Sequence, residues 1–373
     1  MNAEPAARAT AATGRTGGLG RRIPWILIVV LLMATVPWMG SRFYTFLATD
    51  IVILALFATS LNLLLGYTGL VSFGHAAYFG IGAYTCAILM KTHGLPFVVG
   101  LAAAPLLAGL CALVFGFFCV RLTRIYFAML TLAFAQIVWG ICFKWNSVTG
   151  GEQGMSDVPY PDLSWMEALP LLGDLRVGEQ YYLLVLVIVA VCIALLRMVV
   201  DSPFGRMLTV IRENPERARF IGLNVRRYEL AAFVIAGAFA GVAGALFGLF
   251  NRGVFPDFAY WSKSAEVLIM VILGGMAHFW GPAIGAAALI LLNVQISAYT
   301  QYWPFVLGTT LIVLLFVFPG GIVGTLSAGW KRLRGRQRPG GAPDPAPATP
   351  SILTASATRE AGPLEPLQGG APR

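Results

Sequence analysis

The stretch Asp201–Phe250, DSPFGRMLTVIRENPERARFIGLNVRRYELAAFVIAGAFAGVAGALFGLF, changes character near its middle. Residues 201–228 carry six arginines (Arg206, Arg212, Arg217, Arg219, Arg226 and Arg227) against three acids. From Glu229 onward the chain is apolar to Phe250, about the length a helix needs to cross a bilayer core. A basic block beside a bilayer-length apolar run is the pattern of a cytoplasmic loop feeding a membrane span, because arginine-rich loops are retained in the cytoplasm.

The rest of the chain repeats that pattern. Of 373 residues, 58% are hydrophobic and 12% charged, which leaves too little charge to cover a water-facing surface. Apolar runs of spanning length fall near 23–40, 47–66, 70–90, 95–120, 125–143, 181–200, 229–250, 280–298 and 303–319. A shorter run at 265–277 reads as a broken or re-entrant segment. Ten crossings put the basic N-terminus, Arg121 and Arg124, the 201–228 loop and the basic stretch from Lys331 on one side. The loop 144–180, with six acids and two bases, then faces outside. The predicted fold is an all-α, polytopic integral membrane protein with about ten transmembrane segments and both termini cytoplasmic. Its parts are a basic arm (1–22), a transmembrane domain (23–330) and a Pro- and Gly-rich disordered tail (331–373). The 23–39 run is longer than a signal-peptide core and lacks a cleavage site after it, so it is expected to remain as the first helix. Five cysteines without paired spacing predict neither a disulfide framework nor a zinc site.

Three segments depart from plain lipid-facing composition. Leu61–Tyr84 (LNLLLGYTGLVSFGHAAYFGIGAY) gathers five glycines with Asn62, Ser72 and His75 at membrane depth. Broken helices are tolerated in a bilayer only where protein or a water-filled cavity covers the backbone. Asn62, Ser72, Gly74, His75 and Tyr78 are therefore candidates to line a translocation pathway; tight helix packing explains them equally well. In Ala236–Gly248, Gly237 and Gly241 form one small-xxx-small pair and Gly244 and Gly248 another, the ordinary signature of close helix packing. In Ala265–Ala286, Gly274-Gly275 and Gly281-Pro282 can interrupt helices. Glu266 there is either a buried functional carboxylate or an interfacial one. An aromatic-aromatic-Gly then Ile-Gly-Ala echo links Tyr78–Ala83 to Phe279–Ala286, as an internal repeat in a transporter would.

Within the basic loop, Met207, Val210 and Ile211 keep helical spacing, and Asn214-Pro215 starts a second short helix that runs over 216–221 and stops at Gly222. Glu216-Arg217-Ala218-x-x-x-Gly222 resembles the glutamate-alanine-alanine-x-x-x-glycine loop of ABC importer permeases, with Arg217 departing at the middle position. The flanks IRENPERARFIGLNVRRYELAAFVIAGAFAGVAGALFG, with GYTGLVSFGHAAYFGIGAY, EVLIMVILGGMAHFWGPAIGA and the ending FPGGIVG (318–324), are similar to permeases of the branched-chain amino acid class, LivM-type. The blocks cover most of 61–324. The resemblance implies that Glu216, Arg217, Ala218 and Gly222 form a coupling helix seated in a cleft of an ATPase subunit. It implies as partners a second, LivH-like permease subunit, two cytoplasmic ATPase subunits and an external solute-binding protein. It also implies a place in the bacterial plasma (inner) membrane and a cargo of branched-chain or other hydrophobic amino acids.

No G-x-x-x-x-G-K-[ST] occurs, so the chain has no P-loop to cradle ATP, and no cofactor of its own is expected; ATP would be used by partner subunits. The same architecture could carry urea, short amides or a carboxylate, and sequence does not choose among them. A secondary transporter would ordinarily show charges deep in several spans. An intramembrane enzyme is disfavoured because the three histidines form no H-E-x-x-H pair and no G-x-S-x-G elbow occurs. The acidic loop, with Trp145, Tyr160 and Trp165, either meets the binding protein or is a solvated loop with interfacial aromatics.

Overall fold

The computed structural model describes residues 33–39, 41–164, 175–318 and 320–326. The basic arm 1–22, the bulk of the span predicted at 23–40 and the tail 331–373 lie outside the described residues, as do Trp165, Glu167 and Asp174 of the acidic loop.

The described chain is helical apart from one two-residue β pairing. α1 (Arg42–Asn62) continues as a π-helical turn over Leu63–Thr68. α2 (His75–Lys91), α3 (Phe97–Cys119), α4 (Arg124–Lys144) and α5 (Val177–Asp201) follow. The short helices α6 (Pro203–Glu213) and α7 (Pro215–Phe220) precede α8 (Val225–Phe250), α9 (Trp261–Gly274), α10 (Gly281–Tyr299) and α11 (Trp303–Val317). Among the described residues six segments are long and apolar enough to cross a membrane: Arg42–Thr68, α3, α4, α5, α8 and α10. α2, α9 and α11 are shorter.

The helices differ in how much of their apolar surface other parts of the chain cover. In α3, α4 and α5 the most apolar stretch is mostly uncovered by protein, whereas α1 and α8 are largely enclosed. α8 packs between α2 and α3, and its small residues allow the approach. Gly241 sits against Ala108 and Ala104 of α3, and Gly237 against Ala112 of α3 and the ring of Tyr78. Gly244 lies on the carbonyl of Phe79 in α2, and Gly248 faces Val254 and Ala83. A side chain larger than hydrogen at these positions would push the axes apart and lose dispersion contacts along the whole seam.

Long-range contacts gather the basic loops at one end of the bundle. Arg124 donates to the carbonyl of Arg212 (3.1 Å), and Arg212 donates to the carbonyl of Gly66. The Arg197 guanidinium lies 4.9 Å from the Phe279 ring centroid, and Gly275 abuts Gly320 and Gly321. The opposite end holds Arg42, Lys91 and the acidic loop. There β1 (Met155–Ser156) pairs antiparallel with β2 (Gly253–Val254), Lys91 donates to the carbonyl of Ser156, and Arg252 covers the Tyr160 ring at 5.4 Å. The acidic loop is one-sided. Met155, Val158 and Leu163 are buried, while Glu152, Asp157 and Asp162 are exposed. The N–H of Ser164 donates to Asp162 (3.1 Å) and holds that carboxyl below its ordinary value.

Several predicted spans start elsewhere than read in the sequence: the runs at 47–66, 181–200 and 229–250 are helical from Arg42, Val177 and Val225, four or five residues earlier. The run at 70–90 becomes helical only at His75, because the π turn ends at Gly69 in a left-handed conformation (φ 74°) that turns the chain out of the helix. The run at 265–277 begins four residues earlier, at Trp261, and ends at Gly274. The polar residues Ser262, Lys263 and Ser264 interrupt the hydropathy pattern without interrupting the helix.

Candidate functional site

The loop between α5 and α8 folds because its sequence supplies every cap. Ser202 precedes Pro203, which is preorganised for the first helical position, and the Ser202 hydroxyl accepts the N–H of Gly205 (3.4 Å). Asn214 breaks the chain between α6 and α7 and caps α7, its side-chain oxygen accepting from Glu216 (3.1 Å) and Arg217 (3.0 Å). At the far end Gly222 adopts φ 87°; its N–H donates to Arg219 (3.0 Å), and that of Leu223 donates to Ala218 (3.1 Å). These two bonds are a Schellman motif, and Leu223 packs on the small core of Ile211, Ala218 and Val225 that accompanies it. The predicted helix thus spans Pro215–Phe220, one residue earlier than read from sequence, with Gly222 as its left-handed stop.

The motif residues divide by burial. Ala218 is fully buried and anchors α7 to α6 and α8. Glu216, Arg217 and Gly222 are exposed, together with Arg219, Phe220 and Ile221. Phe220 is 90% exposed, so α7 presents an aromatic and an aliphatic side chain to its surroundings among arginines.

Arg212, the penultimate residue of α6, joins this loop to the membrane. Besides the Gly66 carbonyl, its guanidinium reaches Met276 Sδ at 4.0 Å, and its aliphatic stem packs against Gly69. Gly66 belongs to the π turn and Met276 to the break between α9 and α10. One side chain therefore connects the loop to both interrupted membrane segments. Stacking of Phe204 on Tyr228 (5.6 Å, 17°) holds α6 to the first turn of α8. Sequence reading missed Arg212, which counted there only as one of six loop arginines.

The five candidate pathway residues lie together around the first break, all buried within this chain. His75 Nε2 is 2.9 Å from the Ser60 hydroxyl, whose own proton is donated to the Phe57 carbonyl (2.7 Å). Ser60 has one O–H to give, so the ring proton is assigned to Nε2. The imidazole stacks on Phe57 (5.3 Å, 10°) and meets the edge of Tyr78 at 6.2 Å; Tyr78 in turn meets Phe233 at 5.5 Å. Ser72 lies beside Gly74, which is pressed against the backbone of Thr131 in α4, and Asn62 lies against Gly66. The N–H of Ala76 donates to Ser264 of α9 (2.8 Å). All five are thus enclosed by side chains and backbone of this chain. A cavity of about 370 Å³ at the opposite end, lined by Arg42, Thr45, Thr49, Tyr160 and Tyr181 among others, shares none of the five.

A family profile described as "branched-chain amino acid transport system / permease component" matches residues 43–318. The chain belongs to that permease family. It is 31% identical over 316 residues to the high-affinity branched-chain amino acid transport system permease protein LivM of Escherichia coli K12, covering 80% of this chain and 74% of the relative. It is 23% identical to the probable LivM of Methanocaldococcus jannaschii over 71% of this chain and 88% of that one. The LivH permease protein of Escherichia coli K12 is more distant, 26% identical over 72% of this chain and 91% of its own length. No solved structure matches. Among the described residues no group of three or more His, Cys, Asp or Glu is placed to hold a metal ion.

Proposed function

We propose that this permease is the LivM-type half of an ABC importer and carries branched-chain or other hydrophobic amino acids across the plasma (inner) membrane. An external binding protein delivers the cargo, a LivH-like chain completes the pathway, and two ATPase subunits supply the energy; the chain itself catalyses no reaction and binds no cofactor. The observation that carries this reading is the connection from α7 through Arg212 to the π turn and the α9–α10 break. A movement imposed on the exposed tip of α7 has a direct mechanical route to both places where the membrane helices are interrupted.

In this reading Glu216, Arg217, Phe220, Ile221 and Gly222 contact an ATPase, and buried Ala218 keeps α7 attached to α6 and α8. The ten-crossing topology with cytoplasmic termini is supported by the clustering of Gly66, Arg124, Arg212, Met276 and Gly320 at one end. The exposed acids of the 144–180 loop face the other end, where the binding protein would arrive. Asn62, Ser72, Gly74, His75 and Tyr78 support the pathway wall from behind, and the glycines of α8 set its helix spacing.

The test is Gly222→Asp in the reconstituted transporter. The left-handed backbone disfavours a side chain at that site, and the added carboxylate alters the contact surface beside Ile221. Membrane insertion should persist while amino acid uptake and stimulation of ATP hydrolysis are lost. Normal uptake by this variant removes the assignment of α7.

A further inference from the structure

Asp50, Lys263 and Glu266 are ionisable side chains in the membrane part of the bundle, outside the loop and the first break. Asp50 is the ninth residue of α1, about 12 Å along a segment that runs on to Thr68. Lys263 and Glu266 lie in the first two turns of α9, their charged groups 2.8 Å apart. α9 packs along α1, the helix that carries Asp50.

α9 starts inside the bundle. Ala259, just before it, is seated on Gly80 in the middle of α2, and Ser264 accepts the N–H of Ala76. Ala76 adjoins His75, which is bonded to Ser60, two-thirds of the way along the Arg42–Thr68 segment. Lys263 and Glu266 are thus held at membrane depth by neighbours on two other helices. They are not sealed there: the Lys263 side chain retains 17% of its accessible surface and Glu266 35%. Ser262 is exposed on the same helix, and Trp261 is 41% exposed. Lipid is a poor neighbour for a carboxylate and an ammonium that keep a sixth to a third of their surface accessible; in membrane proteins such groups face the bundle interior or a water-filled cavity.

We infer that Asp50, Lys263 and Glu266 form a recognition site for a zwitterionic amino acid, on the face of this chain that lines the aqueous path. The inference rests on the importer reading above and identifies where its cargo is held. Lys263 takes the substrate carboxylate, and Glu266 with Asp50 takes the ammonium. The Lys263–Glu266 pair opens to admit the zwitterion, and one internal ion pair is replaced by two intermolecular ones with no change in net charge. Phe247, whose ring lies 5.2 Å from Lys263 Nζ, and Trp261 offer apolar surface for an aliphatic side chain. The geometry also selects. A simple carboxylate leaves two acids facing each other, and urea or a neutral amide gives the closed pair nothing to exchange for.

The experiment uses the complete transporter in proteoliposomes, with radiolabelled leucine on the binding protein as the probe, and reads uptake beside ATP hydrolysis. Lys263→Met and Glu266→Gln should each lower uptake at least about tenfold, with assembly and binding-protein stimulation of hydrolysis retained. Lys263→Arg, which keeps the cation, should stay within about threefold of wild type. The double exchange Lys263→Glu with Glu266→Lys restores an internal ion pair but reverses the order of charges, so uptake should remain low. Full uptake by the double exchange, or by the neutral single variants, overturns the inference and leaves the importer reading standing. A wild-type complex that imports urea or a monocarboxylate and no leucine overturns both, and is seen before any variant is measured.

Discussion

The two interrupted membrane segments treat their polar residues in opposite ways. Between α1 and α2, Asn62, Ser72 and His75 are at most 1% exposed and are covered by α4, α9 and their own helices. Around α9, Lys263 and Glu266 keep a sixth to a third of their side-chain surface. Yet the segments touch: Gly66 faces the carbonyl of Met276, and Arg212 bonds to both. A polar side chain at membrane depth is thus not in itself a mark of the pathway. The first break encloses its polar residues within this chain, and the second leaves two charged ones partly accessible.

The contrast can be broken most severely from the packed side. Gly241→Leu would drive a side chain into Ala108 and the Ala104 carbonyl, where a Cβ alone would already lie 2.5 and 2.9 Å away. The expected cost is about 3 kcal/mol or more, seen as a lost folded fraction in detergent thermal unfolding. Gly140→Leu, with open space around it, should leave unfolding unchanged. His75→Ala should come next. It removes the stacked ring and the Ser60 bond for about 2 kcal/mol, lowering yield and thermal midpoint while uptake per assembled complex is preserved. If uptake falls while yield does not, His75 belongs to the pathway and the contrast fails. The finest distinction comes from Ser262→Cys and Ser72→Cys labelled with a water-soluble maleimide. Exposed position 262 should react about tenfold faster or more than buried position 72, which reacts only after local opening. Equal rates would erase the difference between the two breaks.

Local chemistry was legible in the sequence. Asn214, Pro215 and Gly222 announce α7 because capping and left-handed stops depend on a few neighbouring residues. The glycine pairs of α8 announce a tight seam for the same reason, and hydropathy places the long spans within a few residues. What was hidden depends on distant partners. Ser264 and Lys263 read as the loop before a short apolar run, because nothing nearby shows that Ser264 receives the N–H of Ala76, 188 residues away. Arg212 reads as one more positive charge, since its partner Gly66 is 146 residues away. Glu266 was divided between a buried and an interfacial role, and its position on a half-exposed face is a property of how α9 enters the bundle. Family resemblance picked out 216–222, yet Arg212, the side chain that links this loop to the membrane helices, lies outside that stretch.

The small β pairing has a consequence for biogenesis. Met155 and Ser156 can pair only with Gly253 and Val254, about a hundred residues later in synthesis, and the whole of α5 through α8 intervenes. The acidic loop therefore emerges without its partner strand and must wait, its apolar side uncovered, until α8 is in place. Its closure comes only after α5, the loop helices α6 and α7, and α8 have all been made. In a chain whose other contacts are mostly between apolar helix faces, this ribbon is a non-local latch, late to form for the same loop-closure reasons that slow long-range pairing in soluble domains.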